Sequence, residues 1–195
     1  MILNDEEIRE HIADHQLIEG AALGSINTLS GIAAISWGVT HAGYDIRLAG
    51  PILVPKKGVL LDVKLPPEAK ANQWRQLAIG CHGNGEYVVI PPNTMALGVS
   101  VERFNIPNWL TGLIIGKSTY ARQGLVVNCT PLEAGWSGYV TIEIANTQPN
   151  SMTVYLGEGI AQCVFMQHNP VGIDYDTKGG KYQNQPNIPV LAKLH

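Results

Sequence analysis

The sequence has none of the features by which membrane-bound and secreted proteins are usually recognised. It contains no apolar stretch long enough to span a bilayer. Its first fifteen residues are rich in Asp and Glu, with neither a basic start nor an apolar run, so they do not resemble a signal peptide. We therefore expect a cytoplasmic protein that has no membrane partner.

Cysteine is also scarce. Cys81, Cys129 and Cys163 are odd in number and far apart, which argues against a disulfide framework and against a structural zinc site. A zinc-dependent nucleobase deaminase needs His-x-Glu and a later Pro-Cys-x-x-Cys, and the sequence contains neither. The neighbouring Cys81 and His82 lie in a glycine-rich stretch typical of a surface turn. We expect reduced, mostly buried thiols and no bound zinc.

Positive charge is in short supply as well, because the formal net charge is -3 and charged residues make up 15% of the chain. Bulk electrostatics therefore do not favour a nucleic-acid partner, and any bound phosphate must be held by a few placed cations and backbone donors. Hydrophobic residues make up 45% of the 195 residues, enough to form a core without disulfides. We expect a single domain over residues 1–195, in which residues 175–195 form a C-terminal tail.

Helical patterns are rare. One short helix is predicted after Asn4, which would cap the acidic residues 5–7, with Ile8 and Ile12 one turn apart on one face. Elsewhere 21 glycines and 12 prolines separate short β-rich runs. These runs cover residues 87–90, 95–101, 113–115, 139–145, 152–155 and 161–166. The predicted fold class is all-β with a short N-terminal helix, arranged as a sandwich, a jelly roll or a small barrel.

Two segments need separate interpretation. Residues 139–144 alternate only loosely between apolar and polar side chains, a pattern typical of a strand that is buried on both faces. Residues 65–76 contain Pro66 and Pro67, which open either a short helix or a surface loop.

The tripeptide Gly116-Lys117-Ser118 is not part of a P-loop. A P-loop requires glycine at the position that Thr111 occupies, and residues 113–115 form an apolar strand where a phosphate-binding loop needs free backbone amides. Residues 116–125 nevertheless place two cations and two hydroxyls within six positions directly after this strand. They form either a solvated loop or a cradle for an anionic, polar ligand.

Glu143 is the most unusual charged residue, because it lies inside an apolar, β-branched run. It either faces water or lies in a pocket, where burial would raise its pKa until it both accepts and donates a proton near neutral pH. The polar, cationic tail is a second such feature. Tyr175, Lys178, Lys181, Tyr182 and Gln185 belong to it, and it is either a disordered end or a flap that orders over a ligand.

The block GKSTYARQGLVVNCTPLEAGWSGYVTIEIANTQP, residues 116–149, resembles the signature region of deoxycytidine triphosphate (dCTP) deaminases. Shorter similarities occur at residues 43–47, 91–107, 158–162 and 180–185. The resemblance implies a distorted β-barrel or jelly roll of the dUTPase-like type. It also implies a homotrimer whose three active sites are each shared between subunits.

The resemblance also implies roles for individual residues. Glu143 would be the catalytic proton donor and acceptor, with Ser118 and Arg122 beside the cytosine and the attacking water. The triphosphate would be bound by Lys117, Lys181, Gln185 and Tyr175, together with backbone amides of the segment that contains Thr119, Tyr120 and Ala121. Gln162 and the Thr141-Ile142 backbone would frame the nucleoside, and Glu133 would bind the sugar where the family usually has Asp. Magnesium would be bound through the triphosphate.

The implied reaction is hydrolytic deamination of dCTP to dUTP and ammonia, which supplies dUMP for dTTP synthesis. Three alternatives remain open: a dUTPase, a bifunctional enzyme that also removes diphosphate, and a non-catalytic nucleotide-binding trimer. Glu143 favours deamination over a dUTPase, since cleavage of a phosphoanhydride needs no carboxylate at the amino-bearing edge of the base. Inhibition by dTTP and a preference for modified cytosines also stay open.

Overall fold

The computed structural model describes residues 1–29, 31–83 and 85–194. Ser30, Asn84 and His195, which belong to the predicted domain, lie outside the described residues. The described helices are α1 (Asp5–His15), α2 (Pro67–Asn72) and α3 (Ser118–Ala121). The described strands are β1 (Ile18–Glu19), β2 (Ile26–Leu29), β3 (Ile32–Thr40), β4 (Gly43–Pro55), β5 (Trp74–Gln76), β6 (Gly80–His82), β7 (Gly85–Ile90), β8 (Thr94–Asn105), β9 (Leu110–Gly116), β10 (Leu125–Asn128), β11 (Ser137–Asn146), β12 (Met152–Tyr155) and β13 (Gly159–Gln167). None of the described helices is long and apolar enough to cross a membrane.

Six strands form a closed barrel. Their order is β8, β11, β10, β9, β13 and β4, and pairing of β4 with β8 closes the ring. The barrel interior holds fully buried apolar side chains, among them Ile46, Ala96, Ile142, Ile144 and Phe165. Closure leaves no free edge in this part of the sheet. The predicted all-β class and barrel are confirmed.

Helix α1 forms as the sequence predicts. The Asn4 side chain accepts from the Glu7 backbone N–H at 3.0 Å, and the Glu7 carboxylate accepts from the Asn4 N–H at 2.8 Å. This reciprocal pair satisfies two backbone donors that the first helical turn leaves free. Ile8 is fully buried and attaches the helix to the barrel core.

Two local expectations are corrected, and one open interpretation is decided. Strand β11 alternates strictly, so its even-numbered residues are buried in the barrel and its odd-numbered residues are half-buried; it is not buried equally on both faces. Residues 118–121 form the single-turn helix α3, where the sequence indicated a loop. Residues 67–72 form α2, which decides the open interpretation of residues 65–76 in favour of a helix with Pro67 at its start.

The C-terminal tail packs against the barrel, although its composition is too polar for a core. Backbone hydrogen bonds join it to β11: the Asn184 N–H donates to Ser137 O at 2.8 Å, and the Tyr139 N–H donates to Gln185 O at 3.1 Å. Gly138 permits this approach, because a Cβ there would lie 2.6 Å from the Gln185 nitrogen. The tail therefore covers the outer face of β11, where Glu143 lies.

Candidate active site

A cavity of about 380 Å³ lies between the outer face of β11 and the tail. Three parts of the chain form its walls: the segment that follows β10, strand β11, and the tail. The lining residues are Cys129, Thr130, Pro131, Leu132, Glu133, Trp136, Val140, Thr141, Glu143, Tyr175, Tyr182, Gln185, Val190 and Ala192. Five predicted site residues meet here, namely Glu133, Thr141, Glu143, Tyr175 and Gln185.

Glu143 has the properties of a proton-transfer group. Alternation along β11 turns its side chain outward into the cavity, while the neighbouring Ile142 and Ile144 point into the barrel. Its Oε2 is the buried side-chain polar atom that has no hydrogen-bond partner among the described residues. Burial raises the pKa of the Glu143 carboxyl, and hydrogen bonds from its own backbone and from the Cys129 thiol offset part of this effect. An unpartnered carboxylate oxygen in a cavity is available to a ligand.

Thr141 attaches the tail to β11. Its hydroxyl donates to Gln185 Oε1 at 2.9 Å and accepts from the Val190 N–H at 3.0 Å. The Thr141 side chain is therefore occupied by the tail. The prediction that this part of β11 frames a nucleoside concerns the Thr141-Ile142 backbone, which the contacts of the Thr141 hydroxyl do not involve.

Aromatic side chains organise the first half of the tail. The Trp136 indole N–H donates to Tyr182 O at 2.8 Å, and the Tyr182 N–H donates to the Tyr175 hydroxyl at 3.0 Å. Gly180 lies flat against the Tyr175 ring, where any Cβ would come within 2.0 Å of a ring carbon. These contacts fold residues 175–182 back on themselves and position Tyr175 and Tyr182 in the cavity wall.

The 117–122 segment does not reach the cavity of its own chain. Ser118, Thr119, Ala121 and Arg122 are exposed, and no residue of the segment lines the cavity. Tyr120 is buried instead, and its hydroxyl accepts from the Tyr155 N–H at 3.0 Å. The predicted site is thus divided into two parts within one chain.

Lys117 is already engaged in this structure. Its ammonium forms an ion pair with Asp45 and donates to Ser36 O at 2.8 Å. Gln162 lies near the same cluster, donating to the Thr40 hydroxyl at 3.0 Å. A triphosphate that used Lys117 would have to compete with these contacts.

Lys181 lies in the tail but outside the cavity wall, with its ammonium 5.3 Å from the centre of the Tyr182 ring. The neighbouring Tyr182 does line the cavity, although the resemblance gave it no role. Cys129, Val190 and Ala192 are further lining residues that sequence reasoning missed. Cys129 could have been found from the sequence, because it lies within the signature block of residues 116–149. Nothing in the local sequence indicates that Val190 or Ala192 lines a site.

The register of the barrel connects the two parts of the site. Asn128 on β10 pairs with Glu143 on one side and with Ile115 on the other, so the three side chains form a row on the outer face. Leu113, Ile115 and Val126 expose 38%, 46% and 51% of their surface on this face. An apolar patch therefore begins at Ile115, two strand spacings or about 10 Å from Glu143. Strand β9, which carries Leu113 and Ile115, ends at Gly116, and α3 begins two residues later at Ser118.

These features define a class: a closed β-barrel that carries a carboxylate cavity on its outer face. The family model that describes dCTP deaminase-like proteins matches residues 2–168. The chain therefore belongs to the dCTP deaminase-like family.

Similar proteins agree with this assignment. Proteins named dCTP deaminase are 36% identical over 190 residues in Acidithiobacillus ferrooxidans and 38% identical over 188 residues in Paracidovorax citrulli, each match covering 96% of both chains. The crystal structure of the 2'-deoxycytidine 5'-triphosphate deaminase from Agrobacterium tumefaciens has the same fold, with a TM-score of 0.58 and 19% identity. That match covers 84% of this chain and 47% of the solved chain, so this chain spans about half of its length.

Proposed function

We propose that this protein hydrolyses the amino group of dCTP, producing dUTP and ammonia. The observation that carries the proposal is the half-buried Glu143, which lines a cavity of about 380 Å³. Its Oε2 has no hydrogen-bond partner among the described residues, and burial raises the pKa of its carboxyl. Family membership supports the same chemistry, because the similar proteins are named dCTP deaminase. Supply of dUMP for dTTP synthesis and a cytoplasmic location stay predictions.

The reaction needs proton transfers that one carboxyl can perform. Water adds to C4 of the cytosine as N3 takes up a proton. The new C4 hydroxyl then loses its proton and the exocyclic amino group gains one, so the bond between C4 and that amino group breaks, ammonia leaves and the C4 carbonyl of dUTP forms. In the proposal, ionised Glu143 removes a proton from the water and its protonated form delivers it to N3; the same carboxyl then carries the proton of the C4 hydroxyl to the leaving amino group. A pKa raised towards the working pH suits both steps. The tail excludes bulk water, which strengthens polar contacts to the substrate.

The direct test is incubation of the purified protein with dCTP and magnesium, followed by separation of dUTP, dUMP and ammonia. Equal amounts of dUTP and ammonia support a deaminase. Production of dUMP together with ammonia indicates the bifunctional alternative. Hydrolysis of added dUTP without ammonia from dCTP indicates a dUTPase and contradicts the proposal. The same assay with added dTTP measures whether dTTP inhibits.

A homotrimer is part of the proposal, because Glu143 and Arg122 do not meet within one chain. The apolar patch of Leu113, Ile115 and Val126 lies between them and suits a subunit contact that brings α3 of one chain to the cavity of another. We expect light scattering to give the mass of a trimer at working concentration. A monomer under assay conditions would contradict this.

Subunit mixing tests whether the site is shared. The variants Glu143→Gln and Arg122→Ala are each expected to be nearly inactive. If the two residues act from different subunits, every mixed trimer contains one intact site. Random reassortment of equal amounts then restores about a quarter of the parent activity, because about three-quarters of the trimers are mixed and each has one of three sites intact. No restored activity in demonstrably mixed trimers would mean that both residues act from one chain.

Magnesium is expected to act on the nucleotide and not in a protein cage, since this ion usually binds through substrate phosphates and a few carboxylates. We expect activity to disappear on chelation of magnesium and to return when magnesium is added back. Elemental analysis of the purified protein is expected to give no stoichiometric zinc. Full activity without magnesium, or loss of activity on removal of a bound transition metal, would contradict this expectation.

A further inference from the structure

Lys70 is a buried cation that has no acidic partner among the described residues. Only 7% of its surface is exposed, and it takes part in none of the four salt bridges of the described residues. Its ammonium donates instead to two backbone carbonyls, Val63 O at 3.0 Å and Ala192 O at 2.6 Å. A buried ammonium is tolerated when its donors are satisfied in this way.

The Ala192 carbonyl belongs to the end of the tail that closes the Glu143 cavity. Val190 and Ala192 line that cavity, and the Val190 N–H is bound by the Thr141 hydroxyl. On its other side the same stretch borders a second cavity of about 470 Å³, lined by Leu65, Pro67, Lys70 and residues 190–194. Among the hydrogen bonds of the described residues, the one from Lys70 to Ala192 joins α2 to the tail end.

We propose that Lys70 is a positioning residue that holds the end of the tail closed over Glu143. Strand β5 pairs with β4 of the barrel, so α2 is a fixed support and not part of a free loop. Opening of the tail exchanges a short, charge-assisted hydrogen bond for water. Bonds of this kind shift equilibria by about tenfold to a hundredfold. This gives α2, which the sequence left open as a helix or a loop, a function in substrate retention.

Hydrogen exchange measures tail closure without reference to any reaction. The backbone amides of Val190 and Lys193 are the reporters, because they donate to Thr141 Oγ1 and to the Tyr182 hydroxyl. In the full chain with Lys70→Met, which keeps length and removes the donors, we expect both amides to exchange about ten times faster or more. Amides of β11 should keep their rates.

Two further variants distinguish the Lys70–Ala192 hydrogen bond from a general loss of positive charge. Lys57→Met removes an exposed lysine from the same stretch and should leave tail exchange unchanged, while Lys70→Arg keeps a donor and should restore most of the protection. If Lys70→Met does not fold, a chain shortened after Leu191 removes the Ala192 acceptor and should accelerate exchange at Val190 in the same way. Unchanged exchange at Val190 in folded Lys70→Met, or in the shortened chain where Lys70→Met does not fold, overturns the proposal, and so does an equal acceleration by Lys57→Met.

The consequence for substrate rests on the proposed function. With dCTP, Lys70→Met should raise KM about tenfold and change kcat by less than about twofold, because Lys70 retains substrate and does not reach its reacting atoms. If Lys70→Met exchanges faster but the parent protein does not deaminate dCTP, the role of Lys70 in tail closure stands and the proposed reaction is refuted. A lower kcat at unchanged KM would overturn the retention role.

Discussion

Replacing Glu143 with glutamine is expected to lower dCTP turnover by about two to four orders of magnitude, the usual effect of removing a general acid–base group. Glutamine has nearly the same size, so the cavity and its contacts to the base persist and dCTP should still bind. Single-turnover assays give the rate, and calorimetry with unreacted dCTP gives the affinity. Release of ammonia at the parent rate would refute the role of Glu143 and remove the main reason for preferring a deaminase to a dUTPase.

A stability measurement is the control for this variant. Because burial raises the pKa of Glu143, the folded protein binds this proton more tightly than the unfolded chain. The free energy of unfolding therefore falls as pH rises from the unfolded-state pKa through the raised folded-state pKa. Glutamine removes this dependence, so at neutral pH the variant should unfold at the same temperature as the parent or higher. A lower unfolding temperature would mean that lost activity reflects damaged structure.

Removing the tail from Tyr175 onward is expected to weaken dCTP binding about a hundredfold, while the barrel stays folded and trimeric. The deletion removes five lining residues, Tyr175, Tyr182, Gln185, Val190 and Ala192. Loss of about three substrate contacts at about 1 kcal/mol each gives this change in affinity. Calorimetry with dCTP measures the affinity, and circular dichroism with light scattering checks fold and assembly.

The matched control is Lys178→Ala, which removes an exposed tail lysine that does not line the cavity and should leave dCTP affinity within about twofold. In the parent protein the tail is expected to be mobile without ligand and ordered with it, so dCTP should increase the protection of the Val190 amide. Undiminished binding by the truncated chain would show that the tail is not a substrate flap.

Local sequence predicted the elements whose formation depends on neighbouring residues. The Asn4 and Glu7 side chains alone cap α1, and residues 152–155 form β12 within the predicted limits. Strands β3 and β4 were missed. Ala33, Ala34 and Gly38 weaken the β-pattern of β3, and Gly50 with Pro51 interrupts that of β4. Pairing of β4 with β13 and of β3 with β4 stabilises both strands. Helix α3 was missed because a single turn has almost no periodic signal.

The candidate site shows the same division between what local sequence predicts and what contacts distant in sequence decide. The sequence by itself determined which groups are present: a carboxylate in the β11 run, two cations and two hydroxyls after β9, and a polar tail that cannot form a core. Only the tertiary structure decided how they are placed. Tail closure over β11 buries Glu143 and raises its pKa, whereas the 117–122 segment is left outside the same cavity. Lys70 meets the Ala192 carbonyl across 122 positions of sequence. Such contacts follow from barrel closure and from the path of the tail, and no periodicity within a short window encodes them.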